Sequence, residues 1–433
     1  MQAFFDASTA PRTTLWEATA APGPKLESIE GEHKVDVAVI GAGVAGLSTT
    51  LHLAEAGCSV ALLEAAELGS GATGKSGGLL APDFIRHSPL EINRLLGPDN
   101  GPRLVEMVGL SAKQCVELIE THSISCDAKL DGFWVPAHDQ STSIKLLNRA
   151  NEWHEAGFNV AWIPAGETIE RLGSERYCGA VRFAEGGSLN PLAFSRGLAE
   201  AAIRHGAEIY TNSPVKELTR QLDGWRLTAL SGQVDAKRVV LAANGGNSAL
   251  HVGMRRTALP LSVFQYATQP LAPEQKAAVF PVGGSFTDKQ PYIFSARFDR
   301  DGRLISALPD FFIPRSEKSL IAEANRRLAK HFPILENASI EYLWRGTAWI
   351  NPTLLPKVYD LSDGVFAIQA CNGRGIALNA VLGKEMANAL TKGKQYSRVV
   401  KTERPNPIKA HRLVQNLPSV LMALAYFKNR LGL

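Results

Sequence analysis

Short apolar runs rich in β-branched residues alternate along this chain with stretches whose apolar positions recur every three to four residues. Val37, Val39 and Ile40 close the first such run, which has the continuous apolar character of a parallel strand covered on both faces. Val44, Leu47, Leu51 and Ala54 then fall at helical spacing, and Gly57 stands where a helix C-cap belongs. Val60–Leu63 reads as a second buried strand. Further on, 190–206 reads as a helix with an Asn-Pro start and a Gly stop. Strand-like runs follow at 207–211, 215–218, 225–228 and 238–246, then at 261–268, 292–297 and 303–308. A last strand, turn and helix occupy 364–390.

The turn between the first strand and the first helix carries the most chemistry. Gly41-Ala42-Gly43-Val44-Ala45-Gly46 fits G-x-G-x-x-G. Gly41 permits the turn, Gly43 lets backbone approach a pyrophosphate, and Gly46 lets helix pack on strand. The helix N-terminus then faces the phosphates with free N–H groups and a positive dipole end. Glu64, at the end of the second strand, stands where an acidic residue accepts hydrogen bonds from a ribose. A carboxylate there repels a 2′-phosphate, which disfavours NADP. The segment from Gly69 to Gly78, GSGATGKSGG, has too little bulk to be a packed element, and such backbone can wrap closely around a flat ligand. The late unit around Gly373-Arg374-Gly375 aims a second helix N-terminus, suited to the pyrimidine edge of a flavin. Two such termini favour FAD over NAD.

These elements predict an α/β fold: a discontinuous Rossmann-like FAD-binding domain over 33–90, 186–250 and 345–410. A smaller α+β substrate domain built on a β-sheet takes 91–185 and 251–344, with a lead-in at 1–32 and a helical tail at 411–433. The tail, LPSVLMALAYFKNRLGL, is an apolar helix ending near Lys428 and Arg430. It either docks on the protein's own surface or makes peripheral membrane contact.

Composition narrows the function classes. With 433 residues, 45% hydrophobic, 20% charged and a net charge of +4, neither disorder nor a nucleic-acid footprint is expected. Five scattered cysteines without CxxC pairs suit reduced thiols and a cytoplasmic setting. The first residues lack a signal-peptide pattern, and no apolar run has the length of a membrane span. The ten histidines show no metal-ligand spacing, so no metal is expected.

The set DVAVIGAGVAGLSTTLHLAEAG, LGSGATGKSGG, VVLAANGG, WRGTAW and QACNGRGIAL resembles the D-amino-acid oxidase/glycine oxidase superfamily of FAD-dependent oxidoreductases. TLWEAT, DGFWVPAHD, YCGAVRF and GGSLNPLAFSRGLAEAA bring it nearest to the branch that oxidises γ-glutamylputrescine. The resemblance implies oxidation of an amine C–N bond to an imine, which hydrolyses to an aldehyde, with oxygen or a quinone-type acceptor taking the electrons. An amino-acid oxidase or dehydrogenase (sarcosine, pipecolate or D-amino acid type) is the alternative in the same class, and an FAD-containing RNA-modification protein the alternative in another.

By resemblance the cofactor-binding residues are Gly41, Gly43, Val44, Ala45, Gly46 and Glu64, then Thr73, Gly74, Lys75, Ser76, Gly77, Gly78 and Leu79 of the early loop. Val215 would meet the adenine; Ala243, Asn244 and Gly245 close a strand; Gly373, Arg374, Gly375 and Ile376 face flavin O2. The early loop reads Gly-Lys-Ser-Gly-Gly where the nearest relatives usually have Gly-Arg-Asn-Gly-Gly, and Arg374 replaces a usual histidine. No histidine or cysteine stands at a covalent attachment position, so non-covalent FAD is implied. The position of the oxygen-activating lysine of some relatives falls near Ile305, beside Arg303. Arg374 stabilises flavin charge, binds a substrate carboxylate, or forms a structural ion pair. Tyr266, Trp344 and Trp349 either wall an amine pocket or are core aromatics.

Overall fold

The strand Gly31–Ile40 lies between Gly232–Leu241 and Val60–Leu63, parallel to both. Val37, Val39 and Leu62 are fully buried under helices on one face, and Ala38 and Ala61 on the other, in a cluster with Leu227 and Trp225 of the hairpin 217–228. That double covering is why the first strand reads as a continuous apolar run. The computed structural model describes residues 13–290, 292–311 and 314–431; residues 1–12 of the expected lead-in and 432–433 of the expected tail lie outside them.

Among the described residues the strands form a nine-stranded sheet, an eight-stranded sheet and a two-stranded ribbon. The first sheet runs Thr402–Glu403, Lys357–Ser362, Val365–Gln369, Gly232–Leu241, Gly31–Ile40, Val60–Leu63 and Glu208–Tyr210, with the hairpin Glu217–Gln221 and Gly224–Thr228 laid on Gly232–Leu241. The helices Val44–Glu55 and Ile376–Thr391 follow parallel strands of this sheet. Both therefore begin at its carboxyl edge, where open α/β sheets bind ligands. They pack closely: Ser48 Oγ donates to Ala380 O at 2.6 Å, and a Cβ on Gly383 would fall 2.6 Å from Ser48 Cβ. The helix expected at 190–206 is Pro191–Arg204, with the Asn190 side chain accepting from Ala193 N at 3.1 Å.

The second sheet runs Ile340–Ile350, Leu259–Pro270, Arg303–Pro309, Ser295–Phe298, Ser285–Thr287, Phe133–Pro136, Ala180–Phe183 and Val160–Ile163. The boundary expected at 344/345 falls inside Ile340–Ile350, which pairs with Leu259–Pro270 on both sides of that point. The helices Pro89–Gly109 and Ser111–Thr121, expected in the substrate domain, place Leu104, Val105, Ala112 and Cys115 in the same core cluster as Leu47, Leu51 and Met386. The tail helix Leu417–Leu431 docks Ala423, Ala425 and Tyr426 against Tyr292 and Phe311. Its Leu417, Leu421, Leu424 and Phe427 are exposed, and among the described residues no helix is long and apolar enough to cross a membrane.

Candidate active site

Gly41, Gly43 and Gly46 have different jobs in the turn. Gly41 has φ +108°, and a Cβ there would lie 2.8 Å from Ala243 N. A Cβ on Gly46 would lie 1.9 Å from Gly41 O, so this glycine seats the helix against the turn. Gly43 is unlike both: among the described residues its Cβ would meet only Thr73 Oγ1, at 3.4 Å. The protein itself leaves that direction open, as a pyrophosphate cradle requires. Val44 and Ala45 open the helix, and Val44 N donates to Thr73 Oγ1 at 3.4 Å, which brings the early loop to the helix N-terminus. Glu64 lies beneath the turn, its carboxylate accepting from Ala42 N at 2.7 Å and Ala66 N at 3.1 Å. Its backbone O accepts from Ser213 N at 2.8 Å, so the chain leading to half-buried Val215 passes beside it.

The early loop is tied down from outside. Lys75 O accepts from Trp344 Nε1 at 3.2 Å, Ser76 O from Trp16 Nε1 at 2.8 Å, and Gly77 O from Arg297 Nε at 2.6 Å. The Arg297 guanidinium also lies 4.9 Å over the Trp16 ring, whose partner in edge contact is Trp344. With no cis peptides among the described residues, the N–H groups of Gly77 and Gly78 point opposite to the held carbonyls. The loop therefore offers donors to a ligand while its acceptors are already engaged. Thr73–Lys75 forms one tight helical turn, and Gly74 cannot carry a side chain, since a Cβ would lie 2.2 Å from Gly69 O. Leu79 starts the two-stranded ribbon with Gly187–Ser188.

Two further turns complete the edge. Ala243 N donates to Asn247 Oδ1 at 2.9 Å, and Asn244 has φ +51° with its side-chain Oδ1 buried and without a partner among the described residues. An orphaned buried acceptor here is a place for a ligand donor. The Trp349 ring lies against Gly245, where a Cβ would fall 2.0 Å from Trp349 Cε2, and Trp349 O accepts from Asn372 N at 3.0 Å. Trp349 thus stands between the two turns. Tyr266 does not: it is fully buried among Phe280, Phe286 and Phe294, with burial pushing its hydroxyl up to about 12. Its neighbour Gln265 takes the opposite face, Oε1 lying 3.4 Å from where a Gly77 Cβ would be. The side chain toward the site is therefore one position from the one expected.

Arg374, in the turn Gly373–Gly375 before Ile376, donates to Asp83 Oδ2 at 3.2 Å and lies 5.3 Å over the Phe133 ring. Asp83 also accepts from Arg149, through Nε at 3.1 Å and through Nη2, and from Trp153 Nε1 at 3.2 Å. Lys289 is half-buried beside this group and donates to Ile85 O at 2.8 Å. Burial, then the charges of Arg149 and Arg374, push its pKa well below the usual lysine range. Burial also lowers that of Arg374, with Asp83 opposing. Two guanidiniums share one carboxylate, so the cluster keeps a surplus positive charge. The pair with Asp83 is the structural reading of Arg374; it also ties the late turn to the chain leaving the early loop. Asp83, Arg149, Lys289, Arg297, Gln265 and Trp16 are site residues that sequence reasoning missed.

A sequence profile of the FAD dependent oxidoreductase family (DAO) matches residues 36–389. The chain belongs to this family. A probable oxidoreductase of Haemophilus influenzae is 31% identical over 373 residues, covering 85% of this chain and 84% of that protein. The γ-glutamylputrescine oxidoreductase of Escherichia coli is 26% identical over 424 residues, covering 97% of this chain and 99% of that one. The crystal structure of glycine oxidase from Geobacillus kaustophilus superimposes with a TM-score of 0.71 at 23% identity, over 84% of this chain and 96% of that one. The protein is an FAD-dependent oxidoreductase, with the α/β fold of glycine oxidase. The open cradle at Gly43 and the orphaned Asn244 Oδ1 fit that cofactor.

Proposed function

We propose that this family member oxidises the C–N bond of an amine that also carries a carboxylate, with γ-glutamylputrescine as the leading case and an amino acid as the second. The observation that carries this reading is the surplus cation of Arg374 and Arg149 around the single carboxylate of Asp83, with the Lys289 amine beside them. A buried positive excess favours an anionic partner, and it sits where the late turn meets the chain leaving the early loop. The chemistry FAD would supply, when bound, is acceptance of the hydride equivalent from the carbon next to the amine nitrogen. The protein's part is orientation and exclusion of water. Arg374 and Lys289 would hold the carboxylate, and Trp349 would wall the apolar part of the substrate. The imine hydrolyses in water to a carbonyl compound and an amine.

Ile305, where a lysine would favour oxygen, is buried and apolar, which leaves a quinone-type acceptor as the counterpart of oxygen. The exposed apolar face of the tail helix, with exposed Arg412 and Lys428 near it, suits an anionic bilayer surface where such an acceptor resides. A cytoplasmic setting with peripheral membrane contact follows from the same reading.

The test is an anaerobic substrate panel followed by bleaching of the flavin absorbance, which assumes no electron acceptor. γ-Glutamylputrescine, glycine, sarcosine and D-alanine are compared with putrescine, which lacks the carboxylate. Bleaching by putrescine as fast as by its γ-glutamylated form would overturn the carboxylate requirement.

A further inference from the structure

We propose that Glu55, His122 and His205 form a binding site for a divalent cation of the zinc class, at the opposite end of the dinucleotide helix from the FAD turn. One ligand atom from each side chain lies within 4.8 Å of the other two. His122 Nε2 and Glu55 Oε1 are 3.2 Å apart. Bonds of about 2.0–2.1 Å in a tetrahedral zinc site put neighbouring ligand atoms roughly 3.3 Å apart. One edge of the polyhedron is therefore already in place, and a small turn of the exposed His205 side chain closes the others. The imidazole rings of His122 and His205 stand 5.7 Å apart at 85°, edge to face, so the two rings are not stacked flat on each other.

A second, independent observation concerns the backbone. Glu55 is the last residue of the helix Val44–Glu55; His122 caps the C-terminus of Ser111–Thr121; His205 caps that of Pro191–Arg204. Three helix C-termini converge on one point, each with the negative end of its dipole, and such ends favour a cation. The His122 side chain is only 6% exposed, and its backbone O is fixed by Arg204 Nη2 at 3.0 Å. A buried ring on a fixed backbone is a preorganised ligand, and the exposed His205 and Glu55 provide the entry path. Two imidazoles and a carboxylate suit zinc and its first-row neighbours, with a fourth position left to water.

The helix Val44–Glu55 is about 18 Å long at 1.5 Å per residue, so this site is remote from the cofactor. Its role is that of a clasp holding Ser111–Thr121 and Pro191–Arg204 to the dinucleotide helix. The ligands stand 67 and 83 positions apart in sequence, which is why no spacing pattern announced them.

The experiment uses tag-free FAD-loaded protein stripped with chelator, titrated with zinc against a chromogenic chelator, with thermal unfolding recorded alongside. The expected result is one high-affinity equivalent per chain and a midpoint temperature that rises with zinc concentration, as binding to the native state alone requires. His205→Ala, at an exposed position that does not threaten folding, should remove both effects, and Glu55→Gln should weaken them. Flavin absorbance and circular dichroism confirm that each variant is folded. Zinc uptake unchanged in His205→Ala, or no uptake by wild type, would overturn the proposal and leave an ordinary Glu55–His122 ion pair.

Discussion

Gly43→Ala and Gly46→Ala are the same chemical change three residues apart, yet the geometry demands opposite outcomes. A methyl at Gly43 meets only Thr73 Oγ1, at 3.4 Å, and its backbone, φ −79° and ψ 176°, is open to any residue. Loss of an N-cap glycine costs a few tenths of a kcal/mol or somewhat more, and the stiffer unfolded chain returns about 0.4–1 kcal/mol. The apoprotein should therefore unfold within about 1 kcal/mol of wild type. A methyl at Gly46 would sit 1.9 Å from Gly41 O and 3.3 Å from Ala242 Cβ. The obstruction is backbone in a tight turn, so the penalty should exceed the roughly 1–3 kcal/mol of ordinary overpacking. FAD affinity should fall in both, for different reasons. In Gly43→Ala the methyl occupies the pyrophosphate's space in a correctly folded site, and the loss should reach about 100-fold, roughly 2.8 kcal/mol. Denaturant unfolding of the two apoproteins, with calorimetric titration of FAD, separates the cases. Wild-type FAD affinity in Gly43→Ala, or equal destabilisation of both apoproteins, would refute the assignment of the open direction to the cofactor.

The remaining expectations are more local. Acid or heat should release intact FAD from the polypeptide; flavin retained by the precipitate would establish a covalent link. Glu64→Ala should weaken FAD binding by about 1–3 kcal/mol, as expected for charge-assisted hydrogen bonds, read by the same titration. Asp83→Asn should destabilise by roughly 3–5 kcal/mol, because it strands two buried guanidiniums, whereas Arg374→Ala should raise KM for carboxylate-bearing amines more than for putrescine. His331 and Asp288 form a buried pair of opposite habit: burial pushes His331 down to about 3 and lifts Asp288 to about 6. Between about pH 4 and 6 folding takes a proton from the one and gives one to the other, so their contributions to the pH slope cancel. His331→Gln should then make stability rise as pH falls from 6 to 4, Asp288→Asn should make it fall, and two identical melting profiles would contradict the pairing.

What the sequence made legible is what local chemistry dictates. The glycine turn, Glu64, the early loop and the helix after Asn190 each depend on residues within a few positions of one another, and their spacing carried the prediction. The cationic cluster depends on Asp83 meeting Arg149 and Arg374, which are 66 and 291 positions away, and no spacing encodes that. For Tyr266 the sequence leaves wall and core both open, because the apolar residues of Leu259–Pro270 do not alternate and the pattern does not say which parity faces the site; the structure places it in the core. The extent of Ile340–Ile350 was hidden by Gly346, which interrupts the strand pattern where the early loop comes close: a Cβ there would lie 3.0 Å from Lys75 O.

The strand order of the nine-stranded sheet has a consequence for biosynthesis. Its central strand, Gly31–Ile40, emerges from the ribosome first, but its partner Gly232–Leu241 and the next strand Val365–Gln369 come far later. At about 5–20 residues per second the glycine turn waits on the order of 20 s to a minute for the turn at Gly373–Gly375 to be made. Until Glu208–Tyr210 and Gly232–Leu241 are made, Gly31–Ile40 and Val60–Leu63 have only each other to pair with, and their open edges are exposed to chaperones and proteases. Cofactor capture is therefore a late and nearly post-translational event, and a nascent chain truncated before the late helix should bind no flavin at all. Cells starved of FAD would accumulate full-length chains held open at the carboxyl edge, and the abundance of this enzyme should follow flavin supply as closely as it follows transcription.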